Sequence, residues 1–206
     1  MRQTSLHFPD TVQSVVASAR NGPLIAAAAT LWISDTDKVL DVTYGKGNFW
    51  TEFQPEHFTS HDLAIDGVDF RNLPESDGSV DVLVFDPPYI PQGGRDTSTI
   101  QDFLSAYGLH DAPKTDVDLF VWIGEGITEA CRVLAPRGRL FVKCADFVHG
   151  GKYIPGRHRI VELAELAELE QVDEFVHFSG TGPQPPRPRQ LHSRRAHSFL
   201  CVFQKL

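Results

Sequence analysis

The chain has 206 residues, enough for one domain with a substantial core, and a hydrophobic fraction of 41% that is ordinary for a globular protein. No apolar run approaches membrane-spanning length: the longest mild candidate, Leu24 to Ile33, is far too short, and polar Gln3, Thr4 and Ser5 before His7 and Pro9 do not make a secretory signal. The net charge of −8 argues against a polyanionic partner, and three cysteines without short ligand spacing exclude a metal cage and point to reduced thiols in a cytoplasmic protein.

In chain order, Thr11 to Arg20 is a short helical candidate closing on Asn21-Gly22. Pro23 suits the first turn of a helix through Trp32, built on an alanine-rich run. Lys38 to Val42 reads as a strand, with Thr43 to Asn48 as the loop leaving it. Phe49 to Phe53 opens a short helix that Pro55 must end. Phe58 to Asp62 and Gly67 to Arg71 are weak strands, and Val80 to Phe85 is a strong, fully apolar one.

A Gly- and polar-rich stretch follows from Pro91 to Thr115, with a short helical candidate at Ile100 to Tyr107. A segment of that length without regular structure in a compact domain is usually functional or mobile. Asp116 caps a helix to Leu134, and Pro136-Arg137-Gly138 turns into a buried strand, Arg139 to Cys144. After a loop through Gly150, Gly151 and Gly156 come the amphipathic helix Ile160 to Leu169 and the strand Val172 to Phe178. The Pro- and Arg-rich loop Gly180 to Arg195 then leads to the final strand, His197 to Phe203. Strands alternating with helices mean a mostly parallel, doubly wound α/β sheet. The last two strands join without a helix, so the final one should run antiparallel.

Two constellations carry chemistry. The first is Asp41-x-x-x-Gly45-x-Gly47, directly after a strand. Its glycines permit a tight turn and close approach to a ligand, and its acid can accept from a ligand ammonium or hydroxyl. A third glycine is absent, which disfavours a dinucleotide pyrophosphate site. Asp62 and Asp69 end the next two candidate strands. Each alone reads more simply as a surface carboxylate; three acids at three successive strand ends point to one pocket.

The second is Asp86-Pro87-Pro88-Tyr89, at the end of the strongest strand. The prolines remove two backbone donors and hold Asp86 out of helical conformation. A rigid carboxylate, a rigid Pro87 carbonyl and an aromatic face suit the amino group of a flat heteroaromatic ring, with two acceptors on the amine and a ring against the π-face. The competing reading is a strand-ending turn with a packed tyrosine.

Together these elements resemble the S-adenosylmethionine-dependent amino-methyltransferases of the DNA adenine-N6/cytosine-N4 family, over roughly residues 20–206. The resemblance implies a Rossmann-like class I methyltransferase fold with seven strands and an antiparallel last strand, in one catalytic domain over residues 1–206. Residues 1–22 would be an N-terminal extension and residues 91–115 and 179–196 substrate-side loops, with no separate target-recognition domain. By the same resemblance S-adenosyl-L-methionine is the cofactor. Asp41, Thr43, Tyr44, Gly45 and Gly47 would hold its methionine part, Asp62 its ribose, and Asp69 with Phe70 its adenine. Asp86, Pro87, Pro88 and Tyr89 would form the catalytic motif, with Asp86 also beside the cofactor and Tyr89 holding a flipped base. Where many members carry Phe-x-Gly-x-Gly, this chain has Thr43-Tyr44-Gly45-Lys46-Gly47.

The implied reaction is methyl transfer to an exocyclic amine of a nucleic-acid base, with adenine N6 in DNA favoured. RNA bases, cytosine N4 and a protein glutamine are the alternatives. The basic residues fit a polyanion: residues 131–206 hold 12 Lys/Arg against 7 Asp/Glu, whereas residues 1–130 hold 7 against 20. Lys143, Lys152, Arg157, Arg187, Arg189, Arg194 and Arg195 are the candidate substrate contacts. With so little chain left over to read sequence, the target is short or degenerate, or a partner protein supplies specificity.

Overall fold

The structure, a computed structural model, describes residues 11–88, 91, 113–180 and 190–206. Its frame is a seven-stranded sheet built from β1 (Val15–Ala17), β2 (Lys38–Asp41), β3 (His57–Ser60), β4 (Val80–Phe85), β5 (Leu134–Cys144), β8 (Leu169–Phe178) and β9 (His197–Lys205). A separate hairpin joins β6 (Phe147–His149) to β7 (Lys152–Ile154). The order across the large sheet is β1-β8-β9-β5-β4-β2-β3. Strands β3, β2, β4 and β5 run parallel, and β9 lies antiparallel between β5 and β8, as the helix-free connection requires.

The central strands are apolar throughout because both sheet faces are covered. On one face, Leu83 and Phe85 of β4 and Leu140 and Val142 of β5 pack beneath α2 (Asp116–Val133) and α3 (Gly156–Leu166). On the other, Val82, Val84 and Phe141 pack with Leu24, Ile25 and Ala28 of α1 (Gly22–Trp32) and with Phe49 and Trp50. Helix α2 starts at a complete capping box: the Thr115 side chain accepts from the Asp118 amide, and the Asp118 carboxylate accepts from the Thr115 amide. The cap is therefore Thr115, one residue before the expected Asp116.

Four local expectations are corrected. Thr11 to Arg20 is not a helix: Val15 to Ala17 form β1 and pair in parallel with Val176 to Phe178 at the open edge of β8. An unpaired edge supplies hydrogen bonds that helical propensity cannot outweigh. Gly67 to Arg71 is not a strand, because acids there turn the backbone in on itself. Asp66 Oδ1 accepts from the Asp62 and Val68 amides, and Asp69 Oδ1 accepts from the Arg71 amide. The count of seven strands thus holds with β1 in place of that strand. Phe49 to Phe53 forms turns and no helix, while the expected loop before α3 contains the β6–β7 hairpin. The short helical candidate at Ile100 to Tyr107 lies outside the described residues.

All three cysteines are free, with Cys144 and Cys201 buried. Among the described residues no helix is long and apolar enough to cross a membrane.

Gly126 shows how closely α2 sits on the sheet. A Cβ there would lie 2.6 Å from the Phe70 ring and 2.9 Å from the Phe85 ring. Gly126→Ala should therefore lower the unfolding free energy by about 1–3 kcal/mol through overpacking. That exceeds the gain of at most about 1 kcal/mol in helix propensity. Urea unfolding checks it; unchanged or higher stability refutes it.

Candidate active site

Six of the expected site residues meet around the C-terminal ends of β2, β3 and β4, where ligands bind in open α/β sheets. A cavity of about 490 Å³ opens there, within the size range of small-molecule sites. Its walls include Asp41, Thr43, Tyr44, Gly45, Asp62 and Asp86, six of the residues expected from the sequence. Asn21, Phe49 and Ile65 also line it and carried no local signal. Asn21 was expected only to close a helix; instead it precedes α1 and its side chain leaves the helix uncapped.

Asp41, only 2% exposed, anchors the loop after β2. Its Oδ2 accepts from Trp50 Nε1 at 2.6 Å and its Oδ1 from the Thr43 amide at 2.8 Å. Burial pushes its carboxyl up to about 7, against those two hydrogen bonds, which favour the charged form; the nearby Asp86 adds to the rise. The sequence could not single out Trp50 for this role, because nine positions along an irregular turn carry no geometric signal.

Gly45 and Gly47 hold φ values of +53° and +69°, the left-handed region where a side chain is strained. A Cβ on Gly47 would also lie 2.7 Å from the Tyr44 hydroxyl. Asp62, 5% exposed, accepts from the Gly45 amide at 2.9 Å through Oδ2 and from the Ala64 amide at 2.9 Å through Oδ1. It therefore holds the glycine loop onto the end of β3 while forming part of the cavity wall.

Asp86 closes the cavity from β4. Its amide donates to Thr43 Oγ1 at 2.7 Å, tying the two motifs together. Its Oδ1 is buried and has no hydrogen-bond partner among the described residues. Burial raises its pKa, and Lys143 opposes the rise. Lys143 is itself 5% exposed, donates to Asn21 Oδ1 at 2.7 Å and sits 5.5 Å from the Phe49 ring centre. Pro87 and Pro88 are buried, with Pro87 in an apolar crevice beside Phe120 and Phe147.

The structure does not bring every expected residue to the cavity. Asp69 pairs with the Arg71 guanidinium, 2.6 Å from Oδ2 to Nη2, and this holds its carboxyl below the usual range. Phe70 packs into the core between Phe85 and Trp122, at ring distances of 4.8 and 4.6 Å. Neither lines the cavity, so the structure does not bring the pair expected at the adenine together with the other site residues. Lys143 is likewise not a surface contact for a polymer. Arg157 is held by Glu174, leaving Lys152 and Arg194 exposed and Arg195 stacked 4.6 Å from the Tyr153 ring centre. Tyr89, Arg187 and Arg189 lie outside the described residues.

No protein-family model matches the chain, and no curated protein matches its sequence. Solved structures do match. A protein from Bacillus halodurans C-125 assigned as a methyltransferase superposes with a TM-score of 0.55 at 12% identity, over 88% of this chain and 98% of that one. The cyclase SpnF superposes with a TM-score of 0.52 at 14% identity, over 88% of this chain and 79% of its own. A Thermus thermophilus protein assigned as a DNA modification methylase, in complex with S-adenosyl-L-methionine, gives a TM-score of 0.44 at 18% identity over 66% of this chain. The chain spans about half the length of that protein, 51%. The sheet is thus the Rossmann-like one found in methyltransferase structures. A cyclase with the same frame shows that the fold alone does not name the chemistry.

The raised carboxyl of Asp41 has a consequence for stability. A native pKa of about 7 against an ordinary 3.8 means that the folded state binds this proton more tightly than the unfolded chain does. The stabilising contribution is complete below about pH 3.8 and is lost as pH rises through about 7. Asp41→Asn should flatten that decline relative to the parent protein in urea unfolding across the same window. An unchanged slope refutes the assignment.

Proposed function

We propose that this protein is an S-adenosylmethionine-dependent methyltransferase acting on an exocyclic amine of a nucleic-acid base, with adenine N6 in DNA the favoured target. One observation carries the reading: Asp86, whose Oδ1 is buried and without a partner among the described residues, lines the same cavity as the glycine loop. A buried carboxylate oxygen without a donor is costly unless a ligand supplies one. An amine hydrogen is such a donor.

The residues present fit the cofactor. The cavity is large enough for a small ligand, its floor is acidic and suits a cation, and the positive-φ glycines let a ligand approach the backbone. Asp41, Thr43, Tyr44, Gly45 and Asp62 would hold it. When bound, it supplies an electrophilic methyl group on a sulfonium.

The chain's own contribution is to the amine. The lone pair of an aromatic amine is delocalised into its ring, so the nitrogen is a poor nucleophile. Asp86 accepts one N–H and the rigid Pro87 carbonyl the other, which favours a more tetrahedral nitrogen and stabilises the charge that develops there. Tyr89 would stack on a base swung out of its helix. Fixing the amine beside the cavity supplies much of the remaining acceleration. After transfer the surplus proton passes to water.

The polymer is supported by the surface. Lys152 and Arg194 are exposed, and Arg195, from the segment before β9, stacks on Tyr153 of the hairpin that follows β5. Such groups position a phosphate backbone without reading its sequence.

Incubation with tritiated cofactor and separate DNA, RNA and protein pools, followed by nucleoside mass spectrometry, should place label on N6-methyladenine in DNA. Label confined to protein overturns the reading. Asp86→Ala should lower methyl transfer by about 100-fold or more while cofactor affinity, measured by calorimetry, stays within a few-fold. Asp62→Ala should do the reverse, weakening cofactor binding by about 10-fold because the glycine loop loses its anchor.

A further inference from the structure

Lys143 is a buried cation beside the site, and the chemistry assigned above leaves it without a role. On β5 it follows Val142, and Val142 pairs with Phe85, so Lys143 and Asp86 occupy adjoining positions at the ends of neighbouring parallel strands. Residues alternate between faces along a strand. Val84 and Phe141 lie on the α1 face, and Asp86 and Lys143, two places further along each strand, turn toward that same face. Their surroundings agree: Asn21 and Phe49 line the cavity with Asp86, and Lys143 donates to Asn21 Oδ1 and lies over the Phe49 ring.

A lysine this deeply buried is costly unless a negative charge faces it. Asn21 offers only a neutral acceptor. The ionisable groups around Lys143 are few. Asp86 lies on β4, and Asp41 on β2 stands behind Asp86 with both oxygens already accepting. On β8, His177 donates to or accepts from no acid; its Nε2 contacts the Ser18 carbonyl, and burial, then Lys143, hold it below the ordinary histidine range. Strand β9 places apolar Leu200 opposite Lys143. Among the described residues, Asp86 is the anion left to answer the ammonium.

We propose that Lys143 is a positioning residue: its ammonium, anchored by Asn21, keeps Asp86 a carboxylate and so able to accept the amine hydrogen. This also explains the uncapped start of α1, since Asn21 gives its side chain to Lys143 and not to its own helix. The importance of the pair for turnover rests on the amine-acceptor role proposed for Asp86; the pair itself does not.

Two measurements separate those claims. The carboxyl ¹³C resonance of Asp86, assigned by its loss in Asp86→Asn, is titrated in the free protein. Its midpoint should rise by about 1 pH unit or more in Lys143→Met and stay near the parent value in Lys143→Arg. Because the carboxylate is the active form, the acid limb of kcat/KM for methyl transfer should move up by the same amount in Lys143→Met. The direct resonance also separates Asp86 from His177, whose titration could move the profile. If Lys143→Met does not fold, Lys143→Gln, whose amide can still donate to Asn21, must give the same rise. An unmoved midpoint in a folded neutral variant overturns the proposal. A midpoint that moves while the acid limb stays confirms the electrostatic coupling of Lys143 to Asp86 and overturns the role of Asp86 in accepting the amine.

Discussion

The site depends on satisfying one buried acid. A carboxylate cannot be taken out of water cheaply, and each oxygen left without a donor costs on the order of 1–3 kcal/mol. Asp41 meets that demand with the Trp50 indole on one oxygen and the Thr43 amide on the other. Those two bonds curl the loop of residues 42–50 back over the end of β2. They also set Thr43 so that its hydroxyl receives the Asp86 amide. A continuous chain of hydrogen bonds thereby fixes the glycine loop and the Asp-Pro-Pro segment relative to each other, with the Gly45 amide held from the side by Asp62.

The charges at the three strand ends then have a common logic. Asp41 and Lys143 are withdrawn from solvent on the α1 face and Asp86 is partly buried between them, with a single neutral acceptor, Asn21, completing the lysine. Burial raises both Asp41 and Asp86, so the protein itself disfavours their ionisation; the hydrogen bonds from Trp50 and Thr43 oppose this at Asp41, and nearby positive charge opposes it at Asp86. Lys143 supplies part of that charge. A cationic ligand in the same cavity would supply more, whereas a neutral one would not.

Much of this was legible beforehand, and the reason differs from element to element. The continuous apolar character of Val80 to Phe85 identified a strand covered on both faces, and the double proline identified where it stops. The spacing of Gly45 and Gly47 after a strand marked a loop whose backbone needs positive φ. Asp62 could be expected in the cavity wall by position, but its bonds to Gly45 and Ala64 could not. Weak signals failed where a stronger competitor was remote or local in an unforeseen way. Val15 to Ala17 yielded to the edge of β8, more than 150 residues away in the chain, and Gly67 to Arg71 yielded to the side chains of Asp66 and Asp69.

The amino-acid sequence by itself determined the alternation of strands and helices, the antiparallel final strand, and the two motifs with their acids, because periodicity, glycine freedom and proline rigidity are local properties. Only the tertiary structure decided the partners. That Trp50 serves Asp41, that Asn21 serves Lys143, that Phe70 is core and that Lys143 is buried beside Asp86 all follow from register between strands and from turns. Residues far apart in the chain meet there because burial leaves their polar atoms no other donors or acceptors.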